Sequence, residues 1–154
     1  MPASAYDLEL TETFAGPPAA VFAAWTETDR LIQWWRIPGF TTPAELATVD
    51  PCQGGAWSVT VVGDSGGPSI PFLGTLRVVD PPSRLVITLD NEPSPDAAQH
   101  SELHITLHAV PAGTRMEFHH HGFGDAAEVD ELRGGYAGVF FPSLAAFLAS
   151  APEN

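Results

Sequence analysis

A two-residue alternation of apolar and polar side chains runs through the middle of the chain and constrains its fold more than any other feature. It extends from Ala44 to His121, and this period is typical of β-strands that bury one face. Short segments rich in glycine, proline and aspartate interrupt it, for example at residues 64–68 and 111–113. Strands joined by such short links favour an antiparallel meander. The strands predicted in this region are residues 44–50, 55–62, 70–79, 84–90, 101–109 and 114–121.

The two ends of the chain add one strand and three helices to this sheet. Residues 6–14 alternate and predict a first strand, and Pro17-Pro18 then opens a short helix because the fixed φ of proline suits a first turn. A second short helix is predicted over residues 26–35, with Thr28 as its cap. Residues 126–149 change to a helical period. The pattern as a whole predicts an α+β fold with one long C-terminal helix.

Glycine and proline weaken that last predicted helix. Gly134, Gly135 and Gly138 each cost up to about 1 kcal/mol relative to alanine in a helix interior. Pro142 has no backbone N–H group and costs about 3 kcal/mol inside a helix. We therefore expect the helix to be kinked, or to begin and end differently than its apolar pattern indicates. The sequence leaves open whether these residues make room for a ligand or only loosen the structure.

Length and charge exclude several classes of function. The 154 residues fit one domain, which is predicted to span residues 1–154. There are 19 acidic residues against six basic ones, a formal net charge of -13, and all six basic residues are arginines. Nucleic acids and anionic membranes are bound by clustered cations, so neither is expected as a partner. The absence of lysine from the sequence excludes Schiff-base chemistry and a lysine-containing phosphate loop.

Cysteine content and hydropathy give further expectations. Cys52 is the only cysteine in the sequence, so it forms no internal disulfide and is too little for a thiolate zinc site. We predict no metal and no other cofactor. No apolar run is expected to reach the ~20 residues of a membrane span, and residues 1–10 show no signal-peptide pattern. A cytoplasmic location is therefore expected.

Several motifs resemble those of START/polyketide-cyclase-like proteins, the SRPBCC superfamily. The segment Ala15-Gly16-Pro17-Pro18-Ala19-Ala20-Val21-Phe22-Ala23-Ala24-Trp25-Thr26 is similar to the opening motif of that superfamily. Leu31-Ile32-Gln33-Trp34-Trp35, followed by Pro38-Gly39, resembles the branch named after the activator of the heat-shock-protein-90 ATPase. Further resemblances to this branch are Asp50 with Gly54-Gly55, Gly74 with Pro81-Pro82-Ser83-Arg84-Leu85, and Gly113-Thr114 with His120 and Gly122-Phe123.

The resemblance implies a helix-grip fold. In such a fold a curved antiparallel sheet of about six or seven strands wraps around the long C-terminal helix, and two short helices follow the first strand. Across the superfamily, the cavity between sheet and helix binds hydrophobic small molecules, and some members cyclise or dehydrate them. Three positions depart from the family pattern: Cys52 stands where arginine is common, Tyr136 where a Gly-Trp pair usually opens the last helix, and Pro142 interrupts that helix.

The parity of the last two predicted strands separates the histidines into two groups. Met116 and Phe118 mark the inward face of strand 114–121, so His120 faces inward while His119 and His121 face outward. The turn at residues 111–113 allows a register in which His104 lies opposite His119. The outward histidines suggest either a metal or pH-sensitive site, or only the solvated face of a one-sided sheet. Adjacent histidines on one strand cannot bind one ion together.

The inward His120 and Tyr136 are the candidates for chemistry. His120 suits a general acid or base, or a hydrogen-bond donor that orients a ligand, and Tyr136 could serve through its hydroxyl. The competing interpretation is a core histidine satisfied by a backbone carbonyl or by Tyr136 itself. The predicted ligand-binding residues are Trp34, Trp35, Phe40, Trp57, Phe72, Phe118, His120, Phe123, Tyr136 and Phe140.

Three functions remain open at this point. The first is binding of a hydrophobic or aromatic small molecule, with these residues as its walls and anchors. The second is an enzyme in the same cavity, a cyclase, dehydratase or hydrolase of a polyketide or aromatic-type substrate. The third is a protein-interaction module, such as a chaperone partner or a homodimer, which needs a larger exposed apolar patch than monomers usually have.

Overall fold

A single antiparallel sheet is the scaffold of the protein. The structure, a computed structural model, describes residues 5–67, 69–89, 101–123 and 126–150. Within these ranges the strands are β1 (Ala5–Phe14), β2 (Phe40–Thr41), β3 (Ala47–Val49), β4 (Ala56–Gly63), β5 (Ser69–Asp80), β6 (Arg84–Leu89), β7 (Ser101–Val110) and β8 (Gly113–Phe123). Their order across the sheet is β1-β8-β7-β6-β5-β4-β2, and β3 also pairs with β4. The described part of the chain thus has an eight-stranded sheet, one strand more than the upper number expected.

The helices cover the face of the sheet that the alternation predicts to be buried. They are α1 (Pro18–Thr26), α2 (Thr28–Trp34), α3 (Ala126–Gly135), a π-helical segment (Tyr136–Phe140) and α4 (Phe141–Ser150). Short 3₁₀ turns lie at Ala44–Leu46 and Asp64–Gly66. Strand, two short helices, meander and C-terminal helix follow one another as expected, and the α+β helix-grip architecture is confirmed.

Three local predictions were wrong. The strand expected over residues 44–50 begins with a 3₁₀ turn, in which Leu46 N–H donates to the Pro43 carbonyl, and only Ala47–Val49 pairs with β4. Strand β2 was missed, because two residues carry no readable alternation. Thr28 is not a cap: it lies inside α2, where its Oγ1 accepts a hydrogen bond from the backbone of Val49 at 3.0 Å. The link between the strands predicted over residues 84–90 and 101–109 lies outside the described residues.

The C-terminal helix is continuous but changes its winding before Pro142. Phe141 N–H donates to the carbonyl of Tyr136, five residues earlier, which is the hydrogen bond of a π-helix. In a regular α-helix the ring of Pro142 would clash with the carbonyl of Gly138, four residues earlier. The widened π turn ends just before this position. Pro142 therefore falls in the first turn of α4, where its missing N–H is tolerated. The expected disturbance is real, and it takes the form of a local π segment.

The same helix corrects the expectation about membrane-spanning segments. Val129–Ser150 is 22 residues long, and by length and composition it is apolar enough to cross a membrane. Core helices meet the same criteria. Here Tyr136, Phe140, Phe141 and Leu144 are buried in the hydrophobic core under the sheet, so the segment is a core helix and not a clear membrane span.

Alanine substitutions at two glycines are expected to change the stability of the fold in opposite directions. A Cβ at Gly74 would lie 2.7 Å from the Thr88 carbonyl oxygen, whereas a Cβ at Gly134 in α3 would have nothing within 4 Å. We expect Gly74→Ala to lower the free energy of unfolding by about 2 kcal/mol, because the strands would have to separate. Gly134→Ala should raise it by up to about 1 kcal/mol through helix propensity. Urea denaturation of both variants checks the pair; equal effects would contradict the described packing.

Candidate functional site

The register of β7 and β8 decides which histidine enters the interior. His104 pairs with His119, the register that the turn at residues 111–113 allows, and Glu102 pairs with His121. The inward side chains of β8 are buried, and His120 is only 3% exposed. His120 therefore faces the interior, as the alternation along the strand predicted.

A buried hydrogen bond joins the sheet to the C-terminal helix at this point. The Tyr136 hydroxyl lies 2.9 Å from His120 Nδ1, and both side chains are buried. Tyr136 is the first residue of the π segment and packs its ring against Phe118, with centroids 4.5 Å apart. When the phenol donates to Nδ1, the imidazole is neutral and carries its proton on Nε2. The two candidates for chemistry thus form one unit.

The charge state of His120 follows from its surroundings. Burial, and to a smaller extent the neighbouring His119 and His121, lower the pKa of His120 to about 4. The lowering reflects the cost of placing an imidazolium in an apolar interior. At neutral pH the side chain is therefore uncharged. It can accept or donate a hydrogen bond, and it contributes no positive charge to a ligand.

Aromatic rings continue from this pair towards α2. Trp35 stacks on Phe140 with centroids 4.3 Å apart, and it meets Trp57 and Phe72 edge-on, each at 5.2 Å. The contact of Tyr136 with Phe140, at 6.2 Å, connects the two groups of rings. The structure therefore brings together, in one interior cluster, Trp34, Trp35, Trp57, Phe72, Phe118, His120, Tyr136 and Phe140.

Two of the predicted ligand-binding residues lie at or beyond the edge of this cluster. Phe40 in β2 is partly buried against the core. The backbone of Phe123 ends β8, but its side chain lies outside the described residues. Whether any of the ten residues touches a ligand stays a prediction.

Sequence reasoning missed the centre of the aromatic cluster. Trp25 in α1 is fully buried and contacts Trp34 at 4.8 Å and Phe118 at 6.2 Å. Its backbone carbonyl accepts a hydrogen bond from Trp57 Nε1 at 3.0 Å. The signal was present, because Trp25 continues the apolar face that Val21 and Phe22 begin on α1.

The outward histidines have carboxylate partners. His119 Nε2 and His121 Nδ1 lie 3.0 and 2.6 Å from Asp7 Oδ1, and His104 Nε2 lies 3.1 Å from Glu102 Oε1. Hydrogen bonds from His121 and His119 hold the pKa of the Asp7 carboxyl below its usual range. Within the described ranges, no three His, Cys, Asp or Glu side chains are arranged to hold a metal ion. These contacts agree with a solvated polar face.

An open groove of about 430 Å³ crosses the same outer face. It is lined by Glu9, Leu10, Thr11, His104, Thr106, Glu117, Phe118 and His119. Its walls are mainly carboxylates, hydroxyls and imidazoles, together with Leu10 and Phe118. His120 and Tyr136 do not line it, and it lacks the largely apolar lining that small-molecule sites usually have.

The neutral, buried state of His120 predicts a pH-dependent stability. The pKa of His120 is about 4 in the folded protein and about 6.5 when unfolded, so between these values only the unfolded chain binds the proton. Stability is then unaffected by His120 above pH 6.5 and falls by about 3 kcal/mol as the pH decreases to 4. We expect His120→Gln to lack this part of the acid destabilisation in urea titrations between pH 4 and 7.

An outward histidine provides the control for that measurement. His108, in β7, lies 3.3 Å from Glu117, and its side chain is partly exposed to solvent, unlike that of His120. His108→Gln should therefore retain the wild-type loss of stability between pH 6.5 and 4. If His120→Gln and His108→Gln gave the same pH profile, the neutral interior state of His120 would be wrong.

Solved structures share this architecture over nearly their whole length. The AHSA1 protein from Silicibacter pomeroyi is 28% identical, with a TM-score of 0.77 and coverage of 94% of this chain and 98% of that one. A protein from Chromobacterium violaceum is 21% identical, with a TM-score of 0.80 and coverage of 94% and 99%. An AHSA1-like protein from Aeromonas hydrophila is 20% identical, with a TM-score of 0.76 and coverage of 97% and 99%.

Sequence comparison assigns the family. No functionally curated protein is significantly similar to this chain in sequence. The family described as activator of Hsp90 ATPase homolog 1-like protein matches residues 15–149, which include α1, the sheet from β2 to β8 and nearly all of the C-terminal helix. The expected branch of the SRPBCC superfamily is thereby confirmed, and the chain belongs to the family of activator of Hsp90 ATPase homolog 1-like proteins.

Proposed function

We propose that this protein binds a hydrophobic or aromatic small molecule between the sheet and the C-terminal helix, as one domain over residues 1–154 in the cytoplasm. The observation that carries the proposal is the buried hydrogen bond between Tyr136 and His120, surrounded by aromatic rings. Ligand sites are mostly apolar with a small number of placed polar groups. This combination is present in the interior and not in the outer groove.

The π segment supports the same location. π-helical turns inside α-helices are frequent at functional sites, and here the segment carries Tyr136 and Phe140 into the interior. A Cβ at Gly134, Gly135 or Gly138 would meet nothing within 4 Å, so packing does not require glycine at these positions. Their effect is to lower the stability of the helix next to the site.

Ligand entry requires movement, because the rings of the cluster touch one another. The stacked pair Trp35 and Phe140 leaves no space between its rings at 4.3 Å. Phe140 lies on the π segment, which follows Gly134 and Gly135 and contains Gly138. We therefore assign the displaced side chain to Phe140, which would turn away and yield its place to an aromatic group of the ligand.

An uncharged fluorescent probe tests the proposed binding. N-phenyl-1-naphthylamine should bind one site per chain with a saturable rise in fluorescence, because its rings replace contacts made by Phe140. Tyr136→Phe and His120→Leu should each weaken the affinity by about tenfold if the polar pair anchors or shapes the site. Native mass spectrometry of protein purified from its own host would weigh any ligand already bound.

The matched control is a polar substitution on the outer face. His104→Gln changes a histidine that faces the groove and leaves the interior unaltered. It should keep the wild-type affinity for the probe. Probe binding that is not saturable, or that falls equally in His104→Gln and His120→Leu, would remove the interior site from consideration.

One observation also favours the enzymatic alternative. The Tyr136 hydroxyl and His120 Nδ1 lie 2.9 Å apart, so the two side chains can share a proton. Such a pair can remove and return a proton in a cyclase, dehydratase or hydrolase of a polyketide-type substrate. Turnover of a polyketide-type substrate that is lost in both Tyr136→Phe and His120→Gln, with binding retained, would identify an enzyme. Turnover unaffected by either change would exclude this role.

The protein-interaction alternative has less support. In the described part of the chain, the large apolar side chains that are exposed are Leu46 and Leu73, and they lie on different elements of the fold. Two separate side chains do not make the contiguous apolar patch that an interaction surface needs. A homodimer detected by sedimentation at micromolar concentration would restore this alternative.

A further inference from the structure

A buried hydrogen-bond donor belongs to the ring that stacks on Phe140, the side chain assigned to move when a ligand enters. Trp35 is 2% exposed, and no acceptor among the described residues is within hydrogen-bond reach of its Nε1–H group. Buried donors are nearly always paired, because an unpaired one loses its hydrogen bonds to water without replacement. Contact with neighbouring rings compensates only weakly for a lost hydrogen bond. This donor therefore calls for a specific explanation.

The other tryptophans show that pairing is achievable in this cluster. Trp34 Nε1 donates to the Ala24 carbonyl at 2.8 Å, and Trp57 Nε1 donates to the Trp25 carbonyl at 3.0 Å. Trp25 Nε1 is also unpaired among the described residues, but its ring is surrounded by Trp34, Trp35, Trp57 and Phe118. Trp35 differs because it stacks on Phe140 of the π segment and touches the half-buried Phe72.

The position of Trp35 is fixed from its backbone. It follows the last residue of α2, and its carbonyl accepts a hydrogen bond from Thr42 Oγ1 at 2.7 Å. The ring is held on further sides by Trp34 and Trp57, at 5.3 and 5.2 Å. A preorganised donor of this kind can select a ligand without a change in its own position.

We propose that the indole N–H of Trp35 is the specificity determinant of the site, and that the ligand is an uncharged aromatic molecule bearing a carbonyl or similar acceptor. The inference rests on the proposed function. The aromatic part of the ligand takes the place of the Phe140 ring against Trp35, and its acceptor receives the Nε1–H hydrogen bond.

The absence of buried cations restricts the ligand to uncharged molecules. The buried polar side chains among the described residues are Thr26, Thr42, Ser101, Thr114 and His120, with no arginine among them. An ionised carboxylate in this interior would have no cationic partner, and its burial would be costly. Ketones, quinones and lactones on an aromatic frame meet both requirements, whereas aromatic acids do not.

A pair of isosteric probes tests the role of Trp35. Acetophenone and α-methylstyrene have the same shape, but only acetophenone has an acceptor in place of the terminal CH₂ group. The wild-type protein should bind acetophenone about tenfold more tightly, and Trp35→Phe should abolish that ratio because it removes the donor and keeps an aromatic ring. His104→Gln, on the outer face, keeps every indole N–H group in place and should preserve the ratio.

A measurement on the wild-type protein makes the test independent of how well either variant folds. In ¹⁵N-labelled protein, acetophenone should move the indole proton resonance of Trp35 further downfield than α-methylstyrene does, because both rings alter the ring-current shift but only acetophenone accepts the hydrogen bond. Equal affinity for the two probes, or a ratio that survives in Trp35→Phe, would overturn this inference while leaving the interior site intact. Failure of both probes to bind would overturn the proposed function and this inference together.

Discussion

Burial of one face of the antiparallel sheet under the helices is the constraint on which the rest of the structure depends. A strand has only two faces, so the choice of the inward face fixes every side chain along it. In β8 that choice buries Met116, Phe118 and His120 and leaves His119 and His121 in the outer array of histidines and carboxylates. The alternation of side chains along β8 therefore decides which histidines lie on the polar surface and which one lies in the interior.

The interior around the candidate site is rich in aromatic rings, and its polar groups follow from that. Four tryptophans and several phenylalanines fill the space between α1, α2, the sheet and the C-terminal helix. In such surroundings an imidazole remains neutral, and a hydroxyl finds its partner in the nearest nitrogen. The Tyr136–His120 hydrogen bond and the indole N–H of Trp35 are thus the polar features against which a ligand would be recognised.

Much of the scaffold could be predicted because its signals are local. Alternation located β4 to β8 to within about two residues at each end, and the short turn before Gly113 fixed the pairing of His104 with His119. The wrong predictions also have causes in the local sequence. β2 is too short to alternate, and Thr28 looks like a cap although its hydroxyl binds a distant strand. Pro142 signalled a disturbed helix, but not that a π turn would absorb it.

The sequence by itself determined the strand order of the meander, the inward parity of His120, the acidic surface and the family, because these depend on periodicity and motifs along the chain. Only the tertiary structure decided that Tyr136 meets His120, that Trp25 occupies the centre of the aromatic cluster, and that Trp35 keeps an unpaired donor among the described residues. Each of these depends on distances between elements far apart in sequence. Such distances are set by how whole faces pack, which no local pattern records.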